Sequence, residues 1–360
     1  MQLVLYYEAT DPRDCVYGFL GLGTMDINVD YRKSAAEVYV EFIESYSRAR
    51  QTCLCCGHAA EKLCIFLSWA GLARNHCGDM PSWVSDFSAR YHPGQFLYPR
   101  SPQGSLGRLS AIEHQPKIEY RSLHIAGARI QPVKRVAKID PPGQQEIRPA
   151  SLTINLDLLD LVRDLIIKDT QRPDDTPALQ KIFRIFATDS SPVDMEMVTS
   201  AFMFFMEWIF RGSFGLDFDT LARSLNLSFQ QPCENCEKDE IRRWFVCNFF
   251  PNHEAYCNTS MLEYDREDPY TQFLLTKKIT ACPGNVVFET EGGYLGLGPR
   301  EMAVGDFICV LNGFNSPVFL RKFNSNFVYI GACFALELME DEPKGLLEEG
   351  QVYLERFRIR

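Results

Sequence analysis

The chain has 360 residues, of which 46% are hydrophobic and 23% charged, the ordinary balance of a folded globular protein. Its formal net charge of −10 argues against nucleic-acid binding, because phosphate backbones are held by clustered lysines and arginines. The basic clusters are small: Lys134-Arg135, Arg242-Arg243 and the alternating Arg356, Arg358 and Arg360.

The cellular compartment is predicted from the N-terminus and the cysteines. Neither a basic leader nor a long apolar stretch opens the chain, so no secretory signal is expected. The most apolar run, residues 201–210, is much shorter than the roughly 20 residues that a membrane helix needs, and it contains Glu207. Thirteen cysteines fit reduced thiols better than disulfides. We therefore expect a cytoplasmic protein that does not bind membranes.

Residues 1–139 are predicted to form a unit of helices and strands. Asp11, followed by Pro12, favours a helix start. Ser34 and Glu37 form a capping box before a second helix, whose apolar residues recur at helical spacing.

A long loop is predicted at residues 89–116, which are rich in proline, glycine and serine. Strands are expected to follow at 117–120 and 123–139, with Gly127 marking a bulge. Residues 140–270 are predicted to form a central helical unit, since apolar residues recur at helical spacing and cap-then-proline starts repeat there.

Residues 271–360 are predicted to form a β unit. Glu291-Gly292-Gly293 favours a hairpin turn, because glycine adopts the positive φ angles that such turns need. Short β-rich runs are separated by glycine, asparagine, serine and proline; they lie at 286–290, 307–311, 318–323 and 327–332. The sequence thus predicts an α+β chain with helical N-terminal and central units and a small C-terminal antiparallel β sheet or barrel.

The best metal candidate is the set Cys233, Cys236, His253 and Cys257. A CxxC pair with a later histidine and cysteine supplies four ligands for tetrahedral zinc. The competing interpretation is that these thiols pack as small apolar groups in an aromatic-rich stretch.

Two other constellations favour structural roles over chemistry. The cluster of Cys53, Cys55, Cys56, His58 and Cys64 includes adjacent cysteines that do not easily share one ion. The closely spaced glycines of residues 292–298 are not followed by the Lys-Ser/Thr of a phosphate loop, so turn glycines are favoured. No catalytic residue and no cofactor site other than the zinc candidate is predicted.

Three blocks together resemble fungal heterokaryon-incompatibility (HET) domain proteins. The first block is DPRDCVYGFLGL at residues 11–22, with VDY at 29–31 and EVY at 37–39. The second block is PSWVSDF at 81–87. The third block is GYLGLGP at 293–299, with Gly305-Asp306, FLR at 319–321 and YIG at 329–331. Their order and spacing agree with the C-terminal region of the family.

The resemblance implies non-self recognition and programmed cell death after fungal cell fusion. The family's death-triggering domain precedes the first block, and its motifs are not found here, so we expect a truncated or free-standing C-terminal region. The function predicted from the resemblance is a non-enzymatic regulatory or recognition region with a protein partner. The alternative is a metal- or thiol-dependent enzyme, or an accessory protein of fungal metabolism, and the metal content of the purified protein distinguishes the two.

The block residues also have a plain structural interpretation. Arg13 and Asp14 can tie a helix start to a neighbouring segment, and Trp83 with Phe87 can fill a core. On this interpretation the motifs specify the fold rather than bind a ligand directly.

Overall fold

The computed structural model describes eight stretches of the chain and seven helical residues between positions 161 and 185. The stretches are residues 9–22, 25–51, 66–71, 79–89, 116–138, 285–314, 316–339 and 342–360. The chain divides into two compact units, residues 1–136 with 288–360 and residues 137–287.

The helices with defined bounds lie at the two ends of the sequence. They are α1 (Asp14–Tyr17), α2 (Ala35–Gln51) and α3 (Glu342–Glu348), with 3₁₀ turns at Leu20–Leu22 and Glu337–Met339. The predicted capping box begins α2: Ser34 N donates to Glu37 Oε2 at 2.7 Å, and Glu37 N donates to Ser34 Oγ at 3.2 Å. Within the described residues, no helix combines the length and the apolar character needed to cross a membrane.

Within the part of the chain that the structure describes, nine strands form one sheet. They are β1 (Lys117–Glu119), β2 (Ser122–Lys138), β3 (Asn285–Thr290), β4 (Leu295–Pro299), β5 (Phe307–Leu311), β6 (Val318–Phe323), β7 (Asn326–Ala332), β8 (Phe334–Ala335) and β9 (Leu354–Ile359). Their order is β5-β6-β7-β9-β2-β3-β4-β8, and β1 pairs with β2 outside this path. A further pairing of β5 with β2 closes β5, β6, β7, β9 and β2 into a ring.

The predicted fold class is wrong. The described residues form mostly a nine-stranded sheet, and this sheet is mixed because β7 and β9 run parallel. It is not a small C-terminal element, since β2 from the N-terminal part pairs with both β5 and β9. Within its described residues the N-terminal part is not mainly helical, because α1 (4 residues) and α2 (17) are matched by β1 (3) and β2 (17). Most of the predicted central helices, in residues 140–270, lie outside the described residues.

The main core explains why β2 joins the C-terminal strands. Leu123 and Ile125 of β2 are fully buried beside Phe357 and Ile359 of β9, which are their cross-strand partners. Helix α2 and residues 80–87 pack against the same inner face, and Trp83 is fully buried there. Burial of each such side chain contributes about 1.5–3 kcal/mol, so the sheet gains by recruiting β2.

Aromatic side chains dominate the part of this core next to α2. Phe42 contacts Phe66 and Phe87 edge to face, with ring centroids 5.9 Å and 5.4 Å away. Tyr39 packs on Phe87 in the same way at 5.0 Å. The expectation that Trp83 and Phe87 fill a core is confirmed by their 0% and 2% exposure.

Glycines serve two distinct purposes in the sheet. Gly293 adopts φ +95° in the turn from β3 to β4, where Thr290 N donates to the Tyr294 carbonyl at 2.9 Å, which confirms the predicted hairpin. Gly127 does not mark a bulge: the register shifts between Arg129 and Gln131 instead. Its role is close approach, because a Cβ there would lie 2.5 Å from the Val310 carbonyl oxygen.

Candidate functional site

Arg13 organises the first block. Its Nε and Nη2 donate to the two carboxylate oxygens of Asp11 at 2.8 and 2.6 Å. Its Nη1 donates to the backbone carbonyls of Tyr31 and Lys33, the latter at 3.0 Å. The hydrogen bonds from the Arg13 side chain to the Asp11 carboxylate lower the pKa of Asp11 to about 2. The guanidinium therefore joins the turn before α1 to the loop before α2, as predicted for Arg13.

Tyr31 completes this cluster, because it is the residue through which Asp14 contacts the neighbouring segment. Its hydroxyl donates to Asp14 Oδ1 at 2.6 Å, and this hydrogen bond to a carboxylate raises the pKa of Tyr31. The Arg13 guanidinium carbon lies 5.1 Å from the centroid of the Tyr31 ring. The same ring packs edge-on against Tyr17 at 5.4 Å.

A surface groove of about 510 Å³ runs beside these residues and is lined by residues 10–14 with Ser34 and Ala35. An activated serine needs a base beside its hydroxyl. Here Ser34 Oγ instead accepts a hydrogen bond from Glu37 N at the start of α2. Ser34 therefore serves as the N-cap of α2 rather than as an activated nucleophile.

The second block, residues 81–87, covers the inner face of the sheet and is bound there by side-chain hydrogen bonds. Ser82 Oγ accepts a hydrogen bond from Tyr329 N at 2.8 Å and donates to the carbonyl of Arg360. Trp83 Nε1 donates to the Arg121 carbonyl at 3.1 Å, and Ser85 Oγ donates to the Phe66 carbonyl at 2.7 Å. Because buried polar groups need partners, these bonds fix both the position and the register of the segment.

Arg321 and Asp306 form the polar centre of the third block. Arg321 Nε donates to Asp306 Oδ1 at 2.7 Å and Nη2 donates to Oδ2 at 2.9 Å. Nη2 also donates to the Glu301 carbonyl at 2.8 Å, and Asp306 Oδ2 accepts from Ala303 N at 2.8 Å. Hydrogen bonding to Asp306 raises the pKa of Arg321. The pair ties the turn before β5 to strand β6.

Arg13, Ser82 and Arg321, one in each block, thus serve the same purpose: each binds backbone groups of a segment that is distant in sequence. The chain matches no family model, no curated protein and no solved structure. The relationship to HET domain proteins therefore stays a prediction based on the blocks themselves.

The zinc candidates Cys233, Cys236, His253 and Cys257 lie outside the described residues, as do Cys53, Cys55, Cys56, His58 and Cys64. Among the described residues, no group of three or more histidine, cysteine and acidic side chains is placed to hold a metal ion. The zinc site stays a prediction.

Three described cysteines, Cys15, Cys309 and Cys333, are free and buried. Burial raises the pKa of all three thiols, most strongly for Cys309 and Cys333. A thiol reacts as the thiolate, so raised pKa values make these side chains poor nucleophiles. Their place is in the core.

Sequence reasoning missed two of these contacts. The Arg321–Asp306 pair joins residues 15 apart, and the Ser82–Tyr329 bond joins residues 247 apart. Both members of the first pair lie in the third block, which was the available sign that they act together. Nothing in the local sequence pointed from Ser82 to Tyr329.

Proposed function

We propose that this chain is a non-enzymatic recognition region of a fungal incompatibility-type protein, acting in the cytoplasm through a protein partner. The observation that carries the proposal is the use of the motif side chains. Arg13, Ser82 and Arg321 each bind backbone groups of a distant segment. Motifs with this role define a stable scaffold, and the surface of the scaffold is then available for recognition.

A catalytic role would require the same residues to make different contacts. A general acid or base must lie within hydrogen-bond reach of a substrate atom. Arg13 and Arg321 instead direct their guanidinium donors to Asp11 and Asp306 and to carbonyl oxygens of the chain itself. The free buried thiols of Cys309 and Cys333 accord with the reducing compartment of the proposal.

The test uses expression in a fungal strain that is compatible with the source of the chain. Expressed alone, the chain should leave growth unchanged. Fused after the death-triggering domain of a HET protein, in place of that protein's own C-terminal region, it should make death depend on cell fusion with a non-self strain. The matched control replaces the chain with an unrelated folded domain of similar length.

Two outcomes contradict the proposal. Death caused by the chain alone would reveal an effector activity. A chimera whose killing is the same with this chain and with the unrelated domain would show that the chain recognises nothing in this setting. Western blotting for equal expression accompanies both measurements.

A further inference from the structure

The outer face of β1, β2 and β9 carries a row of basic side chains. Lys117 of β1 pairs with His124 of β2, and His124 pairs in turn with Arg358 of β9. Cross-strand partners point to the same side of a sheet, with Cβ atoms about 4.5–5.5 Å apart. Their sequence neighbours Leu123 and Ile359 are buried on the opposite face. The three cationic or titratable groups therefore form one line across three strands.

Lys117 and Arg358 give this line its positive charge, and His124 lies between them. Burial lowers the pKa of His124, and Arg358, Arg356 and Lys117 lower it further. Glu119 acts in the opposite direction, with a carboxylate oxygen 4.0 Å from His124 Nε2 and 3.6 Å from Lys117 Nζ. The row thus combines the positive charges of Lys117 and Arg358 with the negative charge of Glu119, on a chain whose net charge is −10.

The turn of the β1–β2 hairpin carries an exposed aromatic side chain, Tyr120, three residues along the chain from Lys117. Its two turn residues, Tyr120 and Arg121, adopt φ 49° and 63°, which side-chain-bearing residues do only at a cost. Arg121 is held from two sides: its carbonyl accepts from Trp83 Nε1 at 3.1 Å, and its Nη2 donates to the Asp79 carbonyl at 2.6 Å. The fold thereby keeps Tyr120 in a defined place, 96% exposed to solvent.

We propose that Lys117, Tyr120, His124 and Arg358, which we name the basic face, dock an acidic peptide segment of a protein partner. This inference rests on the proposed recognition function and specifies the chemistry of the partner. Tyrosine and arginine are the residue types that most often dominate binding energy at protein interfaces. The positive row complements glutamate and aspartate side chains spaced along an extended segment.

A peptide fits this surface better than a long polyanion does. The row spans three strands only, and the remainder of the chain is acidic, so it repels phosphates that extend beyond the row. The row is about 10 Å long, so about three residues of an extended acidic segment match it, and a short segment brings only local charge. Nucleic acid is therefore the competing outcome that the experiment must separate.

The experiment uses the full chain and an N-acetylated, fluorescein-labelled hexaglutamate as the probe. In about 0.1 M salt, where the Debye length is about 10 Å, fluorescence anisotropy should show saturable binding, and hexaglutamine with the same label should bind at least tenfold more weakly. Arg358→Gln and Lys117→Gln should each weaken hexaglutamate binding about two- to fivefold, as expected for an exposed ion pair. Tyr120→Ala should weaken it by a similar factor through loss of contact area.

The matched control is Lys344→Gln, which removes an exposed lysine of α3 whose Nζ lies 3.7 Å from Glu348 Oε1. It should leave the affinity within about 1.5-fold, because small changes in total charge are screened by salt. Proton NMR of His124 gives a second readout: bound carboxylates should raise the pKa of His124. Thermal melting of each variant confirms that the fold is retained.

The inference fails if hexaglutamine binds as well as hexaglutamate, if Lys344→Gln weakens binding as much as Arg358→Gln, or if hexathymidylate binds more tightly than hexaglutamate. A failure of this kind leaves the fungal chimera result unaffected, since that assay does not depend on which surface is used. The converse result is that hexaglutamate binds as expected while the chimera kills whether or not the fusion partner is a non-self strain. That result would support the basic-face inference and contradict the proposed incompatibility function.

Discussion

Two arginine–aspartate pairs hold loops in place in this protein, and they differ in how deeply the acid is buried. In the first block, the side chains of Arg13 and Asp11 are 25% and 30% exposed. In the third block, the Asp306 side chain is only 3% exposed, although Arg321 remains 39% exposed. Both pairs are bidentate, so hydrogen-bond geometry does not separate them. The two pairs differ in the access of solvent to the carboxylate.

This difference determines what each arginine contributes. If Arg13 is removed, water can solvate Asp11, whose carboxylate lies at the surface. If Arg321 is removed, Asp306 keeps one hydrogen bond, from Ala303 N, in a site that water hardly reaches. A charge left without its partner in the interior is far more costly than one left at the surface. The same residue pair therefore has a large effect on stability in one block and a small effect in the other.

The largest expected effect is that of Arg321→Met. It should lower the free energy of unfolding by about 2–3 kcal/mol, since it leaves the Asp306 carboxylate buried and largely unpaired. Urea denaturation followed by circular dichroism measures the change. Lys322→Met, at the next and exposed position of β6, is the control and should change stability by less than about 0.5 kcal/mol. Equal effects of the two substitutions would remove the proposed asymmetry.

A second substitution can show that the unpaired Asp306 carboxylate causes the loss of stability in Arg321→Met. Adding Asp306→Asn to Arg321→Met should restore about 1–2 kcal/mol, because the neutral amide costs less to bury and its oxygen can still accept from Ala303 N. The double-mutant cycle by urea denaturation provides the measurement. A double variant less stable than Arg321→Met alone would mean that the lost contacts, and not the charge, explain the effect.

Arg13→Met should destabilise the protein less than Arg321→Met does, because Asp11 regains water when its partner is lost. Arg13→Lys should not restore wild-type stability, since one ammonium cannot pair with Asp11 in a bidentate manner and also reach the carbonyls of Tyr31 and Lys33. The midpoints of urea denaturation compare the three proteins directly. A midpoint for Arg13→Met below that of Arg321→Met would reverse the comparison.

The smallest expected effect is a pH dependence in the first block. The pKa of Asp11 falls from its ordinary value of 3.8 to about 2 in the folded protein, because Arg13 binds the charged form. The resulting stabilisation is complete above pH 3.8 and is lost as the pH falls towards 2. The stability difference between wild type and Asp11→Asn should therefore shrink over that interval. A difference that stays constant with pH would show that Arg13 does not act through the Asp11 charge.

Features formed by residues close in sequence were predicted well. The capping box of Ser34 and Glu37, the turn at Gly293 and the strand runs found in β5 and β6 all follow from hydrogen bonds and steric limits within a few residues. The hairpin turn at Tyr120 and Arg121 was not anticipated. Its sequence contains neither glycine nor asparagine, and contacts from Asp79 and Trp83 hold it in place.

The sequence by itself determined several local elements, among them the capping box of Ser34 and Glu37 and the turn at Gly293, and it marked the three blocks as places of specific contact. Only the tertiary structure decided that β2 lies between β9 and β3, and that Arg321 meets Asp306 while Ser82 meets Tyr329. The physical reason is that several strands of this chain offer similar apolar faces. Which faces meet depends on the packing of the whole core, and local propensity carries no information about it.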